Sequence, residues 1–418
     1  MKLQFINAAT GANTVRFTVS EHACRVLVLE PPEVVDSFAV RMRFYQTCAA
    51  VIRLLCHQDY QVELGHSVWQ ERYDSDSNRS DLSAEATPFP DSTLGQLLGW
   101  PPVPSTSVNA DQSRGVVENQ SDLALDGKSV VKPSVESPTA VVEKDHWDIF
   151  MYSGDRTLSQ IRTDKLAEVA PTANQFNPLA LNLGATDCVD EDGVSMSNAD
   201  ALNLLADYTP TVVRYVLFRF ASFSQPLEFS RAHLEYAAGR VVYAYQSLQN
   251  ARSFVREFEN LESEIVKDEH RLKRIEIESR QALLGNFDSP RLLSVLDDIC
   301  RRVNEYVDTK QPGALPVAVA TTRRLLRTFD EVDNVLNLFR DDPASYLVHH
   351  RGLALKRRSL DAKDIEKLVS RRVAARTGRD WNTADDIKRQ LEEKGVILKD
   401  RAGATDWVLL ESADVNLF

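Results

Sequence analysis

Trp381-Asn-Thr-Ala-Asp-Asp-Ile-Lys-Arg-Gln-Leu-Glu-Glu-Lys-Gly395-Val-Ile-Leu-Lys-Asp400 decides how the end of this 418-residue chain folds. Ala384, Ile387 and Leu391 recur at three- and four-residue steps, the period of a helix with one apolar stripe. Gly395 then stands where a helix closes in a left-handed residue, a conformation glycine adopts without a Cβ clash. Val396 to Leu398 and Val408 to Leu410 read as strands, and Arg401-Ala-Gly-Ala404 as the turn between them. Just upstream, Ile365, Leu368, Val369 and Val373 mark another helix. From about Asp361 to Phe418 the chain is therefore expected to form a small α/β module.

The approach to that module is basic. Arg351 to Arg379 holds ten Lys/Arg (Arg351, Lys356, Arg357, Arg358, Lys363, Lys367, Arg371, Arg372, Arg376, Arg379) against three acids (Asp361, Asp364, Glu366). Such an excess suits a surface that follows phosphates, or else an ordinary solvated helix face. Farther upstream, 196–345 reads as helical almost throughout. Leu234, Ala238, Val241, Tyr245 and Leu248 set one stripe, Leu292, Val295, Leu296, Ile299 and Val303 a second, and Leu325, Phe329, Val332, Val335 and Leu336 a third. Gln311-Pro-Gly and Asp342-Pro343 break the series. From about Tyr73 to Asp145 the composition turns to Ser, Pro, Asp, Asn and Gly with an acidic excess, too little apolar surface to offset the entropy of ordering, so disorder is expected there. Residues 1–65 alternate short apolar runs (Val26 to Leu29, Val51 to Leu55, Tyr60 to Leu64) with polar breaks, which suggests strand, helix and strand of one βαβ unit.

Composition sets outer limits. With 49 Lys+Arg against 61 Asp+Glu and 43% apolar residues, the chain is of the soluble globular kind and too acidic for a generic nucleic-acid coat. No apolar run approaches a membrane span, and Met1 to Val19 lacks the layout of a secretory or organellar leader. The expected location is cytoplasmic, with organellar import left open. Five scattered cysteines (Cys24, Cys48, Cys56, Cys188, Cys300) without a CxxC pair argue for buried thiols rather than disulfides or a cysteine zinc site.

Val373-Ala-Ala-Arg376, Asp380-Trp381, Ala384-Asp385, Leu391, Gly395-Val-Ile-Leu-Lys-Asp400 and Gly403-Ala-Thr-Asp-Trp407 together resemble the C-terminal anticodon-binding end of cysteinyl-tRNA synthetases. The likeness continues upstream through Asp200-Ala-Leu, Tyr208, Pro210, Val213-Arg-Tyr215 and Gln225-Pro-Leu-Glu-Phe-Ser230, and through Asn286-Phe-Asp-Ser-Pro290, which is similar to the element opening that family's helical domain. Arg25 to Val62 follows the family's opening strand, nucleotide loop and first helix, with Arg25, Val28, Pro31, Arg43, Arg53, Leu55, Tyr60 and Val62 in agreement. The resemblance implies an α/β plus α fold in five parts. These are a degraded Rossmann-like (class I synthetase) remnant over 1–72, the acidic linker 73–145, a remnant of the second Rossmann half with its connective segment over 146–230, a helical bundle over 231–350, and the anticodon-binding module over 351–418.

The chemistry that the resemblance implies is missing at the catalytic positions. Amino-acid activation places charge on phosphate oxygens, and class I enzymes meet it with a HIGH-type motif and the lysines of a KMSKS loop. Here the HIGH-type position reads Phe38-Ala-Val-Arg41, so that Phe38, Val40 and Arg41 replace the histidine and glycine. The KMSKS position falls in Gly193-Val-Ser-Met-Ser-Asn-Ala199, with Ser195 and Ser197 and no lysine. The family also selects cysteine on a zinc ion. Its first two ligand positions read Leu29 and Met151, no HH.NE sequence follows, and His146 and Cys188 lack ligand spacing. Neither zinc nor ATP is expected as a cofactor.

The base-reading positions, by contrast, are filled as in the family. Arg376 and Asp385 match the residues that engage a guanine as first anticodon base, Trp381 the aromatic on which an unstacked base rests, and Asp400 the acid that engages the third base. Taken singly, Trp381 also fits a core position, Asp385 an exposed helix acid and Asp400 a turn residue. The resulting expectation is a pseudoenzyme that binds tRNA, tRNA-Cys or another structured RNA, in a regulatory or ribonucleoprotein role, with protein partners possible and no membrane. The alternatives are a divergent active cysteine–tRNA ligase, or a protein–protein scaffold built on the helical domain.

Overall fold

The computed structural model describes Leu3, Phe5, 23–30, 38–58, 60–68, 115–116, 149–153, 179–309, 311–401 and 404–409. The run 73–145, expected to be disordered, lies outside the described residues apart from Gly115 and Val116. The described chain opens with strand β1 (Ala23–Glu30), helix α1 (Phe38–His57) and strand β2 (Gln61–Val68). β1 and β2 pair in parallel, from Ala23 opposite Gln61 to Glu30 opposite Val68, which is the βαβ unit expected from the apolar runs. Gly115–Val116 forms a two-residue strand, β3, antiparallel to β2, inside the stretch whose composition gave no strand signal. Strands β4 (Ile149–Ser153) and β5 (Leu179–Leu183) complete a sheet of order β3-β2-β1-β4-β5.

β1 has β2 on one side and β4, also parallel to it, on the other. Open α/β sheets hold ligands at the carboxyl ends of two such strands. Helix α1 is buried on nearly every side, with Met42, Tyr45, Cys48, Val51, Leu54 and Leu55 all inaccessible, as for a helix caught between a sheet and other helices.

Beyond β5 the described chain is mainly helical. A two-stranded parallel pair, β6 (Thr186–Cys188) with β7 (Leu227–Phe229), encloses α2 (Asn198–Ala206) and α3 (Pro210–Arg219). The next helices are α4 (Arg231–Glu257), α5 (Glu269–Leu284), α6 (Ser289–Val307) and α7 (Leu315–Leu336), with a 3-10 turn at Pro312–Ala314 where Gln311-Pro-Gly breaks the pattern. α8 (Pro343–Arg357) runs straight across position 350, where the sequence places a domain boundary. α9 (Ala362–Thr377), α10 (Trp381–Glu393) and the hairpin β8 (Val396–Arg401) with β9 (Ala404–Leu409) close the described chain.

Three arginines tie α1 and α3 to distant main-chain carbonyls. Arg43, 1% exposed, donates to the carbonyls of Ser222 (2.6 Å), Gln225 (2.7 Å) and Ala185 (3.3 Å). Arg53 donates to the Val335 carbonyl at 2.7 Å and the Leu336 carbonyl at 3.4 Å, while Arg214 of α3 donates to the Asn337 carbonyl at 2.7 Å. The carbonyls that Arg53 and Arg214 meet belong to the end of α7, which closes at Asn337 in a left-handed conformation and whose dipole favours positive charge. Burial lowers Arg43 to about 10 and Arg53 to about 9, so both guanidiniums remain charged at neutral pH.

Among the described residues the hydrophobic interior forms a large and a small cluster. A large cluster joins the sheet, α1 and the helices up to Tyr346. A smaller one consists of Leu355, Ile365, Val369, Ile387, Leu391, Val396 and Trp407 and belongs to α8–β9.

Candidate nucleic-acid interface

α9 and α10 are joined by a tight reversal that carries Arg376 and Trp381, two of the positions that the resemblance assigns to anticodon bases. The Asp380 amide donates to the Ala375 carbonyl (2.9 Å) and the Arg379 amide to the Arg376 carbonyl (3.1 Å), the bond pair of a Schellman ending, with Arg379 left-handed at φ 59°. Asp380 then caps α10, its carboxylate accepting from the Thr383 amide at 3.1 Å and the Thr383 hydroxyl at 2.7 Å. Those bonds favour the ionised form and hold the Asp380 carboxyl below its ordinary pKa.

Trp381 is the first residue of α10, directly after the cap, and is 57% exposed. The core placement that the sequence left open for it is therefore excluded. Asp385 lies one turn on along the same flank, also exposed, because residues four apart share a helix face. Lys388 and Glu392 continue that flank as an ion pair at 3.6 Å. Arg376 sits in the last turn of α9 and is exposed. Arg376, in the last turn of α9, and Trp381 and Asp385, in the first two turns of α10, thus flank one helix–helix reversal. Asp400 lies in β8 opposite Thr405; its side chain falls outside the described residues. Nothing in the sequence reading anticipated the Asp380 cap, although an Asp three residues before a Thr at a helix start is the signal for it.

Only part of the basic approach is available to a ligand. Arg357 donates to the Asp207 carbonyl at 2.8 Å and lies 4.3 Å from the centre of the Tyr208 ring, latching α8 to the end of α2. Arg351 stands 4.9 Å from the Trp407 ring, Arg372 is buried, and Lys367 pairs with Asp364 at 2.9 Å. Lys356, Lys363, Arg371, Arg376 and Arg379 are exposed. The sequence pattern counted ten cations equally because it carries no information on which side chains turn inward.

The catalytic positions are arranged differently. Phe38 and Leu29 lie in α1 and β1, but their side chains are outside the described residues. Val40 packs on the main core, and the Arg41 guanidinium lies 6.0 Å from the ring of buried Tyr45. Ser195 donates to the Asp187 carboxylate at 3.0 Å. Ser197 is the N-cap of α2, accepting from the Asp200 amide and donating to the Asp200 carboxylate at 2.6 Å. Asp190 accepts from the Asp192 and Val194 amides, at 3.0 and 2.9 Å. The loop is thus built from hydroxyls and carboxylates, with no Lys or Arg anywhere from 166 to 213.

Of the positions weighed for zinc, Met151 and Cys188 have side chains among the described residues. Met151 is buried in β4, between Val28 of β1 and Leu181 of β5. Cys188 is buried, its sulfur 3.7 Å from that of Met196, and burial raises its thiol to about 11, which disfavours the thiolate a metal needs. Among the described residues no three His, Cys, Asp or Glu side chains are grouped as a metal site. His146 lies outside them. Of the thiols expected to be buried, Cys24, Cys48, Cys188 and Cys300 are; Cys56, in the last turn of α1, is exposed instead.

No family model matches the chain. Among curated proteins it is similar to the cysteine–tRNA ligase of Thermodesulfovibrio yellowstonii, 26% identical over 224 residues, covering 52% of this chain and 45% of that protein. It is also similar to the enzymes of Desulfotalea psychrophila, 27% identical over 208 residues with 49% and 42% covered, and Methylococcus capsulatus, 28% over 204 residues with 49% and 39% covered. The chain is cysteinyl-tRNA-synthetase-like. The match spans under half the length of these relatives. Solved structures give a looser likeness. Mycobacterium tuberculosis methionyl-tRNA synthetase in complex with methionyl-adenylate is 15% identical with a TM-score of 0.36, over 48% of this chain and 43% of that one. A ternary complex of an Agrobacterium radiobacter LeuRS with tRNA is 13% identical with a TM-score of 0.33, over 64% and 33%. No described helix of the synthetase-like chain is long and apolar enough to cross a membrane.

Proposed function

We propose that this synthetase-like chain binds tRNA, or another structured RNA, through the corner between α9 and α10 and does not aminoacylate it, serving a regulatory or ribonucleoprotein role. The observation that carries the reading is Trp381, an indole left 57% exposed at the first position of α10, with exposed Arg376 in the last turn of α9 before it and exposed Asp385 one turn after it. An exposed aromatic next to a guanidinium and a carboxylate suits an unstacked guanine, which offers acceptors to arginine and ring and amino N–H groups to aspartate. tRNA-Cys is the first RNA to test, given the relatives' name.

The second half of the reading rests on charge. A segment holding Asp187, Asp190, Glu191, Asp192 and Asp200 with no lysine opposes, rather than stabilises, a phosphoryl transition state. Catalysis without ATP and zinc sites is therefore no part of the proposal, and an active cysteine–tRNA ligase is the reading it competes with. Two measurements test it together. Fluorescence anisotropy with tRNA-Cys transcript should show binding that weakens in the Arg376→Ala/Trp381→Ala double variant. Cysteine- and ATP-dependent pyrophosphate exchange should stay at background. Robust exchange would establish the ligase; unchanged affinity in the double variant would leave the helical domain as a protein scaffold.

A further inference from the structure

The distribution of exposed cations says how much of an RNA this surface takes. Starting from Trp381, exposed positive side chains trace the chain back through Arg379, Arg376, Arg371 and Lys363 to Lys356 at the end of α8. Beyond it, Arg351 is exposed but lies against the Trp407 ring, and exposed Arg231 stands near the Tyr208 hydroxyl. Arg357 is turned inward onto the Asp207 carbonyl and the Tyr208 ring, at the C-terminal end of α2. α2 has nine residues, so its other end lies about 13 Å away at the helical rise. That other end is Ser197, where the loop carrying exposed Asp190, Glu191 and Asp192 enters the helix, with exposed Asp200 in its first turn. A phosphate backbone continuing from α9 past the Arg357 latch would thus pass from a basic face to an acidic one within two helix lengths.

Resting on the RNA-binding reading above, we propose that the surface fits the loop end of a single RNA hairpin, and that the Asp187–Asp200 segment repels whatever part of a larger RNA reaches beyond α2. The loop would stack on Trp381, its stem phosphates would lie on Lys363, Arg371 and Arg379, and among the described residues of that loop and α2 no cation is placed for a second arm. The segment is held in shape by its own bonds, Ser195 to Asp187 and the two amides on Asp190, so its charge sits at a fixed place.

The experiment compares two labelled RNAs on the full chain by fluorescence anisotropy in low-salt buffer: the tRNA-Cys transcript and its isolated anticodon-arm hairpin. Glu191 and Asp192 are exposed, and changing them leaves the structural bonds of Asp187, Asp190 and Asp200 in place. The hairpin is expected to bind at least as tightly as the full transcript. Glu191→Gln/Asp192→Asn should tighten the transcript about twofold, and Glu191→Lys/Asp192→Lys about fourfold, since exposed charges act weakly on a phosphate through water and their effects add. The hairpin's affinity should not move with either variant, and raising the salt should erase the difference. A transcript that binds more than about tenfold tighter than the hairpin would overturn the proposal, as would a charge reversal that shifts both RNAs alike. In those cases the RNA-binding reading survives. Binding of neither RNA would remove that reading and this inference with it.

Discussion

Trp381→Ala removes a side chain that the fold barely uses. An indole presents up to about 250 Å² of surface, and 57% of it, on the order of 140 Å², is open in the free protein. A base stacked on one face would cover roughly half of that, about 70 Å², which at about 25 cal/mol per Å² is ~1.8 kcal/mol. The figure falls inside the ~1–3 kcal/mol found when stacking residues are replaced by alanine. An affinity loss of about twentyfold is expected for any hairpin whose loop contains the stacked base. Stability should hardly change, by under ~0.5 kcal/mol, because Trp381 is not among the residues of the small core. The assay is anisotropy with the anticodon-arm hairpin, paired with a urea denaturation curve on the same preparation. A loss under about twofold with an intact curve would refute the stacking argument. A large loss accompanied by a drop in midpoint would show that the ring supports the module rather than the ligand.

The geometry leads to three further outcomes. Arg379→Gly should raise the stability of the module by roughly 0.5–1 kcal/mol, read as a higher urea midpoint, because glycine relieves the left-handed residue that ends α9; it should also reduce the salt slope of RNA binding by about 0.7–0.9 if Arg379 meets a phosphate. The Thr383 amide should track the ionisation of Asp380 in an NMR titration with a midpoint below the ordinary aspartate value near ~3.9. Since the folded-state pKa is the depressed one, the cap's contribution is complete above the unfolded value and is lost as the pH falls through the folded one; Asp380→Asn, which still caps, should show no such loss. Gly184→Ala should destabilise the whole chain by ~2–4 kcal/mol in denaturant, because a Cβ there would collide with the Gln225 carbonyl; Arg43, bonded to that same carbonyl, limits how far it can move.

Local order was legible where one residue type settles a local choice. Gly395, with φ 71°, closes α10 where the sequence placed the end of a helix, and the apolar steps Ala384, Ile387 and Leu391 are the buried face of that helix. Ile365 and Val369 are buried as their spacing implies, but Val373, counted in the same stripe, is 43% exposed. Which arginines face inward was not legible. Arg43, Arg53 and Arg214 stood out only as positions shared with the family, and each is held by main-chain carbonyls from elements far off in sequence. Hydropathy patterns see only neighbours along the chain, whereas these partners are fixed by tertiary packing. The two-residue β3 escaped for the complementary reason, since its pairing depends on the open edge of β2 and not on Gly115 and Val116 themselves.

The separation of the large and small clusters explains how the two ends of such a chain can change separately. Met151 in β4 and Val40 in α1 belong to, or pack on, the large cluster; the helices that carry Arg376, Trp381 and Asp385 rest on the small one, through Ile365, Val369, Ile387 and Leu391. Close-packed interiors pass on strain only through contact, so a substitution at the sheet reaches α10 mainly by way of α8. α8 is continuous from Pro343 to Arg357, contributes Tyr346 to the first cluster and Leu355 to the second, and is pinned at its C-terminal end by Arg357 on Asp207. The orientation of Trp381 therefore depends on α8 and on the Schellman reversal at Arg379. Neither involves the positions at which a synthetase would place its nucleotide and its metal.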